Sequence, residues 1–395
     1  MAYRTTTRLA AAVAALTALA VAQPARAATG PDGGTCAIPA KRQFEGRPWA
    51  LQRVLLDELW HDTRGEGVRV AVIDTGVDDT HPQLTGAVDP AAGADLLGRG
   101  DGTSDTVGHG TEVAGVIAAR PREGTGFVGL APGATVIPIR QNDARDSGTD
   151  ASMAAAIVHA IARDAQVINI SQETTLPRTA DSALGRAVAE AVRRDIVVVA
   201  SAGNNGMDGT RTPTYPAAFP GVLAVAASDR DNERAPFSRP GDFVDIAAPG
   251  VDIVSTVPGH GHCTDSGTSF AAPYVSAVAA LMRAKYPGWT ATQIAARIEQ
   301  TAERSVNGRD DFVGWGVVDP VRALSGDDTP QDAPRPDAPP TGARGPDPAP
   351  LPTGETAQQR DRRRAAWAMA LAVLLTAAVA GAAAVARDLR RRRTR

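Results

Sequence analysis

The sequence contains few cysteines, few aromatic residues and no excess of basic charge. Cys36 and Cys263 are its only cysteines, which excludes a disulfide-rich scaffold and a four-thiolate zinc site. Its 41 Lys and Arg residues are balanced by 44 Asp and Glu residues, whereas a nucleic-acid-binding protein needs a basic surface, so we expect no nucleic-acid partner. Only 4% of the residues are aromatic, but the hydrophobic fraction of 43% still provides a sizeable core and excludes a disordered chain.

The N-terminus has the features of a secretory signal peptide. Arg4 and Arg8 precede an apolar run, and Ala25-Arg26-Ala27 forms a small-x-small cleavage site. We expect residues 1–27 to be removed. An uncleaved anchor and a buried helix are the alternatives, but the apolar run is short for a membrane span.

A second apolar segment lies near the C-terminus. Residues 365–386 carry no charged side chain, and about 20 such residues cross a bilayer as a helix. An Ala-rich soluble helix is the alternative, but such a helix normally has a polar face, which this one lacks. With the signal peptide, the segment predicts a single-pass protein of the cell membrane. The body would be extracytoplasmic, 365–386 would contact membrane lipid, and the basic tail over 387–395 would be cytoplasmic.

The remaining residues divide by composition. Nine prolines lie between Ser325 and Gly354, and we interpret 325–364 as a Pro-rich, semi-extended linker. Residues 28–48 are interpreted as an N-terminal extension and 49–324 as a globular body.

The body alternates apolar β-branched runs with helical patterns. Strands are predicted at 68–73, 135–140, 167–171, 196–200, 222–227 and 244–247, and helices at 109–119, 152–163, 181–194, 269–286 and 290–301. Near-continuous apolar strands are typical of a sheet buried on both faces. The alternation predicts an α/β fold: a three-layer sandwich with a central, mainly parallel sheet and helices on both faces.

Three residues stand where such a sheet places its chemistry, at strand ends and helix starts. Asp74 ends the first predicted strand, His109 follows a glycine at the start of a helix, and Ser269 begins another helix. Individually, these are ordinary turn, structural or N-cap residues. Together they match the needs of amide hydrolysis: a serine nucleophile, an imidazole to take its proton, and a carboxylate to orient the imidazole.

The surrounding motifs resemble the subtilisin-like serine proteases, or subtilases. The resemblance covers about 49–323 and rests on Val-Ile-Asp-Thr-Gly-Val-Asp at 72–78, Gly-His-Gly-Thr at 108–111 and Gly-Thr-Ser-Phe-Ala-Ala-Pro at 267–273. It also includes Val-Ile-Asn-Ile-Ser at 167–171, Ser-Ala-Gly-Asn-Asn at 201–205, Tyr-Pro-Ala at 215–217 and Ala-Ala-Pro-Gly at 247–250.

By motif match, the resemblance implies a role for each residue. Asp74 would be the orienting acid, His109 the general base and Ser269 the nucleophile. Asn204 would donate its side-chain amide to the oxyanion, beside the backbone N–H of Ser269; a turn residue is the alternative for Asn204. The substrate cleft would include Ser171, Gln172, Glu173, Ser201, Ala202 and Gly203.

A closer resemblance is to the mycosins, the membrane-anchored subtilases of type VII secretion systems. The chain has the same order of segments: a signal peptide, a catalytic body, a Pro-rich linker, one membrane span and a short basic tail. The segment before 49 is too short to fold as an independent inhibitory prodomain, which secreted subtilases usually carry. This resemblance implies protein substrates and partners among type VII secretion membrane components.

Two positions depart from the usual subtilase pattern. Glu112 stands where a histidine is common, and we expect it to face solvent from the first helical turn, where a carboxylate suits the helix dipole. Gln172-Glu173-Thr174 replaces the usual Leu-Gly-Gly. This bulkier, charged wall is expected to narrow the substrate pocket or to disfavour acidic side chains.

No metal or other cofactor is expected. The calcium loops of secreted subtilases are not recognisable, and His260-Gly261-His262-Cys263 lacks a second ligand cluster. Cys263 is instead predicted to pair with Cys36, because export makes the bond chemically allowed. Two free thiols are the alternative.

The sequence therefore predicts a serine endopeptidase that cuts exported proteins through an acyl-enzyme. A structural subunit of the secretion complex, with incidental proteolysis, is the main alternative. A lipase or esterase is disfavoured because Ser269 lacks the Gly-x-Ser-x-Gly elbow of those enzymes.

Overall fold

The computed structural model describes residues 37–145, 147–326, 329–338 and 357–393. The chain divides into two units after Asp337. The predicted signal peptide, Cys36, half of the predicted linker and the last two residues lie outside the described residues. The strands are β1 (Arg69–Asp74), β2 (Ala94–Asp95), β3 (Thr135–Arg140), β4 (Val167–Ile170), β5 (Val197–Ser201), β6 (Val222–Ser228), β7 (Ile246–Pro249), β8 (Ile253–Val257) and β9 (Gly261–Asp265).

The helices lie before, between and after these strands. They are α1 (Trp49–Gln52), α2 (Leu56–Leu59), α3 (His109–Ala118), α4 (Asp150–Ala162), α5 (Ala183–Arg193), α6 (Thr268–Lys285), α7 (Ala291–Gln300), α8 (Pro320–Leu324) and α9 (Ala357–Arg393). A 3-10 turn spans Pro90–Ala92.

Seven strands form one parallel sheet in the order β2-β3-β1-β4-β5-β6-β7. Successive side chains of a strand point to opposite faces of the sheet. Val70 and Val72 of β1 pack into one core with α3, α6 and α7, while Ala71 and Ile73 pack into a second core with α4 and α5. The predicted three-layer α/β sandwich is confirmed.

All carboxyl ends of the parallel strands meet at one edge of the sheet, where α3 and α6 begin. β1 and β4 are direct neighbours, with Ile73 opposite Ile170. The segments after Asp74 and Ile170 are therefore adjacent, and the candidate site lies along this edge.

The sequence predicted the N-terminal extension over 28–48 but not the hairpin against which part of it packs. β8 and β9 pair antiparallel, and the Thr256 hydroxyl donates to the Thr111 carbonyl of α3. Residues 39–44 of the N-terminal extension, here called the N-terminal arm, run along this hairpin. The Ala40 N–H donates to Pro258 O (2.9 Å), and the His262 N–H donates to Arg42 O (2.8 Å).

The first described part of the predicted linker also contacts the body. The Gln293 amide of α7 donates to Asp332 (3.0 Å), and the Arg335 N–H donates to the Gln300 side chain (2.6 Å). Residues 329–337 thus lie against α7. The second unit, from Ala338 to Arg395, contains α9, the one helix in the described part of the chain that is long and apolar enough to cross a membrane.

Candidate active site

Asp74 ends β1 with a fully buried side chain. Its Oδ1 accepts from the Thr75 N–H (2.8 Å) and lies 2.7 Å from His109 Nδ1. Because a carboxylate only accepts hydrogen bonds, the hydrogen is on Nδ1 and the Nε2 of His109 is left to accept a proton. The pair thus fixes both the tautomer and the orientation of the imidazole.

The loop before His109 is organised by Asp105, which sequence analysis missed. Its Oδ1 accepts from the Gly108 N–H (2.8 Å) and the Thr75 hydroxyl (3.0 Å), and its Oδ2 accepts from the Thr111 hydroxyl (2.6 Å). One partly buried carboxyl group therefore ties the end of β1 to the first turn of α3. An acidic residue in a glycine-rich loop four positions before His109 was the available signal.

The start of α3 lies unusually close to β1. A Cβ on Gly110 would stand 2.0 Å from the Gly76 carbonyl oxygen and 3.1 Å from the Asp74 Cβ. Only glycine fits there without displacing backbone. Gly108, which precedes the helix, has a φ of 99°, in the left-handed region that favours glycine.

Charge at the site favours the protonated imidazole. Burial lowers the pKa of His109, but the charge and hydrogen bond of Asp74, with Glu112 and Asp105 nearby, raise the pKa to about 9. The predicted solvent exposure of Glu112 is wrong: its side chain is only 4% exposed, because α3 is packed between β1 and β8. Burial raises the pKa of Glu112 well above its ordinary value, against the opposing effect of His109.

Ser269 is the second residue of α6 and is 7% exposed. Its backbone N–H has no acceptor within the helix, because the first turn lacks preceding carbonyls. The ring of Phe270, the next residue, lies 5.4 Å from the His109 ring between centroids. The structure thus brings His109 against the start of the helix that carries Ser269.

Pro273 explains why Ser171 lies beside Ser269. A proline has no N–H, so the Ser269 carbonyl four residues earlier loses its helical donor. The Ser171 hydroxyl donates to that carbonyl instead (2.9 Å), and it accepts from the amide of Asn169 (2.9 Å). The Asn169 side chain in turn accepts from Ser276 of α6 (2.9 Å). Asn169, a polar residue in an apolar buried strand, was not predicted to support the site.

Asn204 is held by its oxygen and leaves its amide nitrogen free to donate. Its Oδ1 accepts from the N–H (2.8 Å) and the hydroxyl (3.0 Å) of Thr268. A Cβ built on Gly267 would lie 2.8 Å from the Ser269 Oγ and 3.5 Å from the Asn204 Nδ2. The hydroxyl and the amide nitrogen therefore flank the same small space.

The predicted cleft residues lie on two segments: Ser171, Gln172 and Glu173 follow β4, and Ser201, Ala202 and Gly203 lie at the end of β5. Gln172 and Glu173 line a cavity of about 440 Å³ next to the site. Ser201 and Ala202 are fully buried at the end of β5, and Ala202 packs into a small core instead of the cavity. Gly203, with a φ of 102°, lies against the Glu173 side chain.

The histidines near Cys263 are engaged within the protein. His262 Nδ1 accepts from the Phe44 N–H (3.0 Å), and its Nε2 lies 2.7 Å from the Gln83 side-chain oxygen. His262 therefore joins the N-terminal arm to the hairpin. Cys36 is outside the described residues, so its pairing with Cys263 stays a prediction.

Several known proteins are similar to this chain. A model of the subtilase family of peptidases matches residues 65–316. Mycosin-4 of Mycobacterium tuberculosis is 38% identical over 88% of this chain and 84% of its own. Thermitase of Thermoactinomyces vulgaris is 36% identical over 72% of this chain and 99% of its own.

Solved structures show the same fold. The MycP3 protease from the type VII (ESX-3) secretion system superposes with a TM-score of 0.65 at 35% identity, covering 72% of this chain and 91% of its own.

Proposed function

The chain belongs to the subtilase family of serine endopeptidases and is mycosin-like, and from this premise we propose that Asp74, His109 and Ser269 form its catalytic triad. The observation that carries the proposal is the 2.7 Å contact between Asp74 Oδ1 and His109 Nδ1, next to the helix start that holds Ser269. The proposed reaction, hydrolysis of a peptide bond, proceeds in two steps.

In the first step, the Ser269 Oγ attacks the carbonyl carbon of the scissile amide while its proton passes to His109 Nε2. The buried carboxylate of Asp74 stabilises the resulting imidazolium. The negative charge that develops on the carbonyl oxygen accepts hydrogen bonds from the Asn204 amide and the Ser269 N–H. Since both donors are already fixed, little reorganisation is needed when the charge appears.

In the second step, the tetrahedral intermediate collapses and the C–N bond breaks. His109 returns its proton to the leaving amine, and an acyl-enzyme ester remains on Ser269. Water then attacks this ester with His109 as base, which releases the carboxylic acid and restores the serine hydroxyl.

We also propose that the enzyme is anchored in the cell membrane by residues 365–386 within α9. The apolar stretch has the length of a bilayer span, and arginines flank it on both sides. The predicted signal peptide supports an extracytoplasmic body and a cytoplasmic tail over 387–395. Of the predicted linker over 325–364, residues 329–337 lie against α7 and 357–364 belong to α9, so we propose that only the segment between them is the linker.

The proposed setting is type VII secretion, with an exported protein as substrate. The matches to Mycosin-4 and to the MycP3 protease of a type VII secretion system support this setting. The second candidate role, a structural subunit of the secretion complex, is favoured by the same resemblance. Retention of Asp74, His109, Ser269 and Asn204 together favours the enzymatic role.

Genetic replacement separates the two roles. In the source organism, the gene is deleted or replaced by a Ser269→Ala allele, and processing of exported proteins and integrity of the membrane complex are measured. The enzymatic role predicts that Ser269→Ala abolishes processing of a substrate while the chain remains present. Unchanged processing with Ser269→Ala, together with loss of the complex on deletion, would leave only the structural role.

We further propose that Cys36 and Cys263 form a disulfide, which would fix the N-terminal extension beside the hairpin. The intact mass of the mature protein, alkylated with and without prior reduction, tests this pairing. Alkylation of both thiols without reduction would contradict it.

A further inference from the structure

Glu173 occupies the space between the two segments that flank Ser269. It lies two residues beyond Ser171, and its side chain crosses towards the segment after β5. The Glu173 Oε1 is 3.4 Å, and its Cγ 3.5 Å, from the position a Cβ on Gly203 would take. The nearby backbone N–H of Asn204 lowers the pKa of the Glu173 carboxyl group, against the effect of burial. A carboxyl group therefore lies directly beside the proposed oxyanion donor.

Glu173 has no ion-pair partner among the described residues around it. Among the charged residues described at the 440 Å³ cavity, Asp150 pairs with Arg178, whereas Glu173 forms no ion pair with a described residue. Burial raises the pKa of Glu173, and the Asn204 N–H and the charges of His109 and Arg239 oppose this effect. The Glu173 carboxyl group is therefore close to two cationic residues, His109 and Arg239, without an ion pair to a described residue.

Arg239 is a buried cation whose charge acts on Glu173. It is 5% exposed, its backbone N–H donates to the Gly203 carbonyl (2.9 Å), and its charge lowers the pKa of Glu173. No ion pair joins Arg239 to Glu173 in the part of the chain that the structure describes. A cationic side chain entering the cleft would thus find the Glu173 carboxyl group without an ion-pair partner, with Tyr215 at the cavity wall.

We propose that Glu173 makes this protease select substrates with Arg or Lys immediately before the scissile bond. The inference rests on the proposed function, since it assigns the specificity of the same site. A basic side chain gains a charge-assisted hydrogen bond with the Glu173 carboxylate. An acidic side chain meets like charge, and a small apolar side chain gains no such bond.

The test is a set of peptides that differ only in the residue before the scissile bond: Arg, Lys, Ala, Leu or Glu. Cleavage by the full-length protein in detergent is measured as kcat/KM. The wild type is expected to prefer Arg over Ala by about tenfold. Glu173→Gln keeps the size of the side chain but removes its charge, and should reduce this ratio to about one while improving cleavage after Glu.

Two controls separate charge from shape and from catalysis. Glu123→Gln, at an exposed position outside the cleft, should keep the wild-type ratio. A fluorophosphonate probe reports whether Ser269 is reactive in every variant. If Glu173→Gln retains the Arg-to-Ala ratio, or if the wild type prefers Ala, with Ser269 labelled normally, the specificity role is wrong. Absence of both cleavage and labelling in the wild type would instead refute the proposed function, and this inference with it.

Discussion

At the scale of single residues, the site depends on how firmly the His109 ring is held. Asp74 fixes one nitrogen, and the raised pKa of His109 keeps the ring protonated at neutral pH. A protonated imidazole cannot accept the Ser269 proton. In the proposed mechanism, the contact that orients His109 as the base therefore also reduces the fraction of active enzyme at neutral pH.

The pH dependence of cleavage follows from the protonation state of His109. The value of kcat/KM should rise with pH until His109 loses its proton near pH 9, because only the neutral ring accepts a proton. An ionised Glu112 raises the pKa of His109, so Glu112→Gln should move the rising limb to lower pH if Glu112 is ionised and leave it in place if burial keeps Glu112 neutral. Initial rates between pH 5 and 10 measure both curves. A limb that moves to higher pH in Glu112→Gln, or a wild-type limb centred well below pH 9, would contradict this electrostatic description.

Asn204 provides a test of the oxyanion donor. Asn204→Asp keeps a side-chain oxygen that accepts from Thr268 but removes the side-chain N–H that would donate to the oxyanion. We expect kcat to fall by about 10²–10³, the loss known for subtilases without this donor, while KM changes little. The matched control is Asn205→Asp at the neighbouring exposed position. Wild-type kcat in Asn204→Asp would show that the amide does not serve the transition state.

The sequence allowed some of these residues to be found and not others. Asp74, His109, Ser269 and Asn204 stand in glycine-containing motifs, so family resemblance was sufficient to single them out. Asp105 acts through several backbone N–H groups, and this role leaves no pattern beyond one acidic residue in a loop. The burial of Glu112 depends on β8, a distant strand that covers α3, and no local sequence signal reports such packing.

At the scale of helices and strands, the predictable elements are the buried ones. The runs at 135–140, 167–171 and 222–227 predicted β3, β4 and β6 within one residue, because strands covered on both faces are almost continuously apolar. The hairpin of β8 and β9 was not predicted, because polar residues such as Ser255, Thr256 and His262 interrupt its apolar pattern. β2 spans only two residues, too few for a pattern.

The contact between α3 and β1 gives a prediction at this scale. Gly110→Ala should force the helix away from the strand, because the new Cβ would overlap the Gly76 carbonyl. Overpacking of this kind costs about 1–3 kcal/mol, so the melting temperature should fall by several degrees. Cleavage should slow as well, since His109 moves relative to Asp74. Thermal unfolding and cleavage rates measure both effects.

Gly288→Ala is the matched control for this substitution. Its Cβ would meet no atom within 4 Å, so stability and activity should stay near those of the wild type. If Gly110→Ala unfolds and cleaves like the control, the close approach of α3 is not required.

At the scale of the whole molecule, the catalytic body and α9 are separate units. The body includes residues 329–337, which lie against α7, so the part of the proposed linker that can extend begins after them. Composition predicted a proline-rich linker but not this contact, because it depends on side chains of α7 such as Gln293 and Gln300.

Fractionation tests the proposed anchor. The full-length protein should remain in the membrane after alkaline carbonate extraction, whereas a chain with a stop codon in place of Ala357 should be released to the medium. A C-terminal tag should be protected from protease added outside the cell. Retention of the shortened chain in the membrane, or digestion of the tag, would contradict the proposed topology.

The most direct test of the account is labelling by a fluorophosphonate, which reacts with a serine only when a base activates it. We predict that mass spectrometry of the labelled full-length protein finds the adduct on Ser269. Labelling should be lost in His109→Ala and reduced by orders of magnitude in Asp74→Asn, because the latter lacks the carboxylate that fixes the His109 tautomer. An unlabelled Ser269 in the folded wild type, or equal labelling rates in wild type and His109→Ala, would show that the three residues do not act as a catalytic triad.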